Sequence, residues 1–167
     1  IYESPENQSA FGRLLDACSC CDTAEEIIGH INTIDRLKIK GLGPAVANLL
    51  YFLHPTLVPP FNTAIVKGYN ALTGANVKLG SWEHFLAMRT GVLDLNDRYR
   101  DLLSNDLGAI GGLLFDIGSD RYPAPPLDGS GAALTTWGQR LEAAREEART
   151  LSKAAMAQGE SERTHTE

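Results

Sequence analysis

The residues best placed for chemistry are Lys38-Ile39-Lys40-Gly41-Leu42-Gly43-Pro44-Ala45, two glycines around one apolar residue followed by a proline. Gly41 and Gly43 accept positive backbone dihedrals and let an outside group approach the main chain. Pro44 fits the first position of a helix, where its missing N–H has no partner to lose. The pattern predicts a hairpin between two helices. The bare N–H groups and the positive dipole end of the second helix would then attract an anion such as a backbone phosphate. The plainer alternative is a glycine helix cap followed by a new helix.

Charge around this stretch favours the anion. Arg36, Lys38, Lys40, Lys67 and Lys78 fall between Arg36 and Trp82 with no Asp or Glu, so the window carries +5 in a chain of net charge −6. A nucleic-acid footprint can be such a local basic patch on an acidic protein. The expected partner is therefore DNA, held through backbone phosphate by Lys38, Lys40, Gly41, Leu42, Gly43, Pro44, Ala45 and Lys67, with strong salt dependence. The overall acidity speaks against a protein that coats DNA indiscriminately.

The stretch Ile39 to Asn48, taken with Pro60-Phe61-Asn62-Thr63-Ala64-Ile65-Val66-Lys67, resembles the core of the helix-hairpin-helix DNA glycosylases, the superfamily of endonuclease III. Those enzymes pair a leucine-proline-glycine-valine-glycine hairpin with a proline-valine-aspartate-threonine-histidine segment. The resemblance implies an all-α fold, and weaker similarity of pattern extends from about Phe11 to Gly118. It also implies which chemistry is missing. The family's lyase lysine corresponds to Ala45, its aspartate to Asn62, its histidine to Ala64 and its arginine to Lys67. An amide supplies neither counter-charge nor base. Losing a preorganised charge costs orders of magnitude in rate, so standard base excision is not expected. No iron–sulfur cysteine loop is recognisable, and no cofactor is expected.

Asn62 has a second reading as the N-cap of the helix that follows Pro59-Pro60-Phe61. Tyr51, Asn62 and Tyr69, with His54 nearby, could line a pocket for a base, or Tyr51, His54 and Tyr69 could be core and rim residues. Lys67 could reach a phosphate or lie along the surface. Cys18, Cys20 and Cys21 lack a second ligand cluster, so reduced, buried or half-buried thiols are favoured over a metal site.

Helices must position all of these. Phe11, Leu14, Leu15 and Cys18 share a face over residues 9–17, and Thr23 with Glu26 forms a capping box for a helix through Ile31. Val46 to Leu53 is so apolar that this helix is expected to be largely buried, ending before Pro55. Another helix begins near Thr63 and stops at Thr73-Gly74. Ser81 caps the next, with Trp82, Phe85, Leu86 and Met88 inward, and Asn96 is expected to start a further one through Tyr99, Leu102 and Leu103. Gly108, Gly111, Gly112 and Gly118 either allow close helix packing or leave room for a ligand.

Residues 1–122 thus form the expected helical domain, which the start at Ile1 suggests is incomplete upstream. Residues 123–132, with Pro123, Pro125, Pro126, Gly129 and Gly131, read as a linker. In 133–157 a heptad stripe, Leu134, Trp137, Leu141, Ala144, Ala148, Leu151 and Ala155, predicts a helix that docks on its own domain or on a protein partner. The polar residues 158–167 are expected to be disordered. No run is long enough for a membrane span, and a cytoplasmic location is expected.

Three functions remain: a DNA-binding module on a glycosylase-like scaffold; an enzyme of that superfamily acting on a nucleobase or nucleotide by altered chemistry, as in DNA base modification; or a helical protein-interaction domain.

Overall fold

The computed structural model of the chain describes residues 4–39 and 46–164, with side chains as far as residue 158. The fold is all-helical: α1 Pro5–Ser19, α2 Ala24–Arg36, α3 Ala47–Leu53, α4 Thr63–Thr73, α5 Trp82–Arg98, α6 Gly108–Gly118 and α7 Gly131–Thr164, with no strand among the described residues. Local capping chemistry sets most boundaries. Thr23 accepts from the Glu26 amide while Glu26 reaches back to the Thr23 amide, the reciprocal box that the sequence predicts. Ser81 caps α5. Gly74 closes α4 in the left-handed region at φ 73°, where a Cβ would be strained.

The core is built where apolar faces of α1 to α6 converge. Phe85 of α5 is fully buried and takes edge-on contacts from Phe61 at 5.2 Å and Trp82 at 5.6 Å, an arrangement that suits aromatic quadrupoles. The closest approach is between α4 and α6. A Cβ on Gly118 would lie 1.8 Å from the Ala64 carbonyl oxygen, and one on Gly68 would lie 1.9 Å from that of Leu114. These glycines therefore let two backbones touch; Gly108, Gly111 and Gly118 of α6 serve close packing, whereas Gly112 is exposed with open space around it.

Three expectations are corrected. First, α3 is not largely buried: Val46, Ala47 and Leu50 face the core, but Leu49, Phe52 and Leu53 are 44%, 75% and 44% exposed. A seven-residue helix meets the body along one stripe, and apolar composition on the other side does not create a surface to cover it. Second, Asn96 does not start a helix. It lies buried inside α5, and its Nδ2 donates to the Ser104 carbonyl at 3.0 Å, tying down the turns that follow. Tyr99 and Leu102 lie in those turns and point outward, Leu102 at 83% exposure. Third, α7 continues through residues 158–164, where polarity predicts a disordered tail. That segment contains no proline and includes good helix formers such as Gln158, Glu160, Glu162 and Arg163.

Helix α7 docks through its first half only. Trp137 Nε1 donates to the Pro123 carbonyl at 2.9 Å, and Trp137 and Leu141 line a cleft with Leu72, Leu113 and Ile117. Further along the predicted stripe, Ala148, Leu151 and Ala155 are exposed.

Candidate nucleic-acid interface

The predicted hairpin joins α2 to α3. Lys40, Gly41, Leu42, Gly43, Pro44 and Ala45 lie outside the described residues, so the site is framed here by its two flanks. On the first, Leu37 is the C-cap of α2, and Lys38 turns into the left-handed region at φ 47° while its amide donates to the Asp35 carbonyl at 3.0 Å. Its ammonium group also pairs with the Asp35 carboxylate at 3.0 Å. On the second, Val46 and Ala47 are buried and open α3 without a side-chain cap.

Behind α3, Asn48 holds the second motif segment in place. Its Nδ2 donates to the Phe61 carbonyl at 2.9 Å, and its Oδ1 accepts from the Phe61 amide at 2.8 Å. One side chain thus satisfies both polar groups of a buried backbone unit, as a neighbouring strand would. Arg89, itself buried, donates from Nε to the Leu57 carbonyl at 2.7 Å and braces the same connection. Neither role is visible from sequence, because each depends on residues 13 and 32 positions away.

Asn62 follows directly. Its Oδ1 accepts from the Ile65 amide at 2.9 Å, so the carboxamide is the N-cap of α4, one of the two roles open to it from sequence. This engages the side-chain oxygen in helix capping.

The other candidates are dispersed. Tyr51 leaves α3 to donate its hydroxyl to Asp106 Oδ1 at 3.1 Å, and the same oxygen accepts from the Gly108 amide at 2.6 Å. Burial, reinforced by Asp106, holds the Tyr51 hydroxyl above its usual pKa, so it remains a neutral donor. Tyr69 is buried in the core, packed so closely on α5 that a Cβ at Gly91 would lie 2.0 Å from its hydroxyl oxygen. His54 Nε2 meets the Cys18 carbonyl oxygen at 2.6 Å and ties the end of α3 to α1. The structure thus does not gather Tyr51, Asn62 and Tyr69 around one described cleft.

Lys67 lines a cleft with Arg140, Ala143 and Glu147 of α7 and pairs with Asp120 at 2.6 Å. Two of the five cations in the basic window therefore have acidic partners, Lys38 with Asp35 and Lys67 with Asp120, which weakens its field.

Cys18 and Cys21 are buried and Cys20 is exposed, all three as free thiols. Burial first, then the neighbouring Cys21, pushes the Cys18 thiol up to about 12 and keeps it protonated. Among the described residues no helix is long and apolar enough to cross a membrane. Compared with models of protein families, with curated proteins and with solved structures, the chain matches none.

Proposed function

We propose that the chain is a DNA-binding module on a helix-hairpin-helix, glycosylase-like scaffold, gripping a backbone phosphate with the Gly41-Leu42-Gly43 corner and lacking the usual base-excision chemistry. The observation that carries the reading is the role of Asn62. The residue at the family's aspartate position is uncharged, and its oxygen is engaged by the Ile65 amide, which leaves a scaffold without its catalyst. The order of elements supports the same view: α2, a short glycine-rich connection, α3, then a segment clamped by Asn48 that leads into α4. Binding of a labelled duplex, followed by fluorescence anisotropy, tests the proposal. Gly43→Asp places a carboxylate against the phosphate and should weaken binding at least about tenfold while the chain still unfolds cooperatively. Equal affinity in the folded variant would remove the reading. Asn62→Asp should release no base from damaged DNA if the rest of the catalytic apparatus is also absent.

The exposed face of α3 favours a second reading. Leu49, Phe52 and Leu53, at i, i+3 and i+4 on a helix without charges, form an apolar surface of the kind used for protein contacts. In that reading the chain is a helical interaction domain. Pull-down, sedimentation and DNA-affinity measurements on Phe52→Ser then separate the two, because DNA binding through the hairpin does not need Phe52.

A further inference from the structure

A cleft of about 360 Å³ lies between α4, the connection that follows α6, and the first half of α7. Its floor is small and apolar, made by Ala71, Ile117, Ala143 and Ala144. Among the other described side chains of α7, Arg145 pairs with Glu142 and Arg149 with both Glu142 and Glu146, while Lys153 has no ion pair among the described residues. Arg140 and Glu147, the two charged residues of α7 that line the cleft, have side chains without an ion pair or hydrogen bond among the described residues. They are seven residues apart, which places them on one face at a separation of about 10 Å, beyond the spacings at which helical ions pair. The Lys67–Asp120 pair also lines the cleft, as does Arg121, which is engaged by Asp116 and by the Phe115 ring.

The cleft therefore offers an unpaired cation and an unpaired carboxylate about 10 Å apart on one helix face, with small apolar side chains lining the space they share. We propose that it binds a guanine mononucleotide, with the phosphate against Arg140, the purine over the alanine floor and the base edge against Glu147. Guanine suits the carboxylate because its ring N–H and amino group are adjacent donors, and a carboxylate accepts such a pair bidentately. Arg140 presents a planar fork to the phosphate. The volume is in the range of small-molecule sites. The inference rests on no part of the hairpin reading.

Calorimetric titration of the full chain with guanosine 5′-monophosphate, thymidine 5′-monophosphate, guanosine and inorganic phosphate tests it. Saturable binding of guanosine 5′-monophosphate is expected, with each of the other three at least about tenfold weaker. Arg140→Gln should abolish the advantage of guanosine 5′-monophosphate over guanosine, and Glu147→Gln its advantage over thymidine 5′-monophosphate. Both changes lie on an exposed helix face, and unchanged helicity by circular dichroism certifies the fold. Absence of saturable binding at millimolar guanosine 5′-monophosphate, or binding unaltered in both variants, would overturn the proposal.

Discussion

The α4–α6 seam and helix α3 are both rich in apolar residues, yet one consumes its apolar surface and the other displays it. At the seam, Gly68 and Gly118 bring two backbones together, and Leu114 and Ile117 are buried as a result. On α3, Leu50 is fully buried while Phe52, two residues on, is 75% exposed. Burial is decided by the shape of the surface opposite, not by composition alone. The seam serves stability, and α3 serves as a thin wall that carries the Asn48 clamp on Phe61.

Substitutions can break this contrast in order of size. Gly118→Leu forces a side chain into the Ala64 carbonyl and should cost roughly 3 kcal/mol or more, read as a lowered midpoint in urea. A cost below about 1 kcal/mol would show that the seam separates freely. Asn48→Ala comes next. It leaves both polar groups of Phe61 without partners and should cost about 2–3 kcal/mol by the same measurement. Asn62→Ala removes only the cap of α4 and should cost about 1 kcal/mol. Phe52→Ser should change stability least, by under about 1 kcal/mol, since most of that ring already meets water. If Phe52→Ser proved as costly as Asn48→Ala, the two faces of α3 would not differ as described.

A thiol titration sharpens the same inside–outside distinction on α1. Ellman's reagent at pH 8 should react quickly with exposed Cys20 and slowly with Cys18 and Cys21, then with all three in denaturant. Rapid reaction of Cys18 in the folded chain would contradict its burial.

What was legible in the sequence was local. Thr23 with Glu26, Ser81 and Gly74 announce helix ends because capping is completed within a few residues. The two roles of Asn62 were both foreseeable, and its hydrogen bond to Ile65 shows capping. The misread parts depend on distant partners. Asn96 has the residue type of a helix start, but it lies within α5 and spends its Nδ2 on the Ser104 carbonyl, eight residues on. Lys67 counts as a free cation in a charge window until Asp120, 53 residues on, is folded against it. Asn48 and Arg89 carry no local signal of the backbone groups they hold.

The central claim is that the Gly41-Leu42-Gly43 corner grips a phosphate, and the salt dependence of DNA affinity tests it most directly. For the wild-type chain, the logarithm of affinity should fall linearly with the logarithm of salt concentration, and Lys40→Glu should make that slope shallower by about 0.9 or more, the equivalent of at least one lost phosphate contact. A slope near zero in the wild-type chain, or the same slope and affinity in Lys40→Glu, would contradict it.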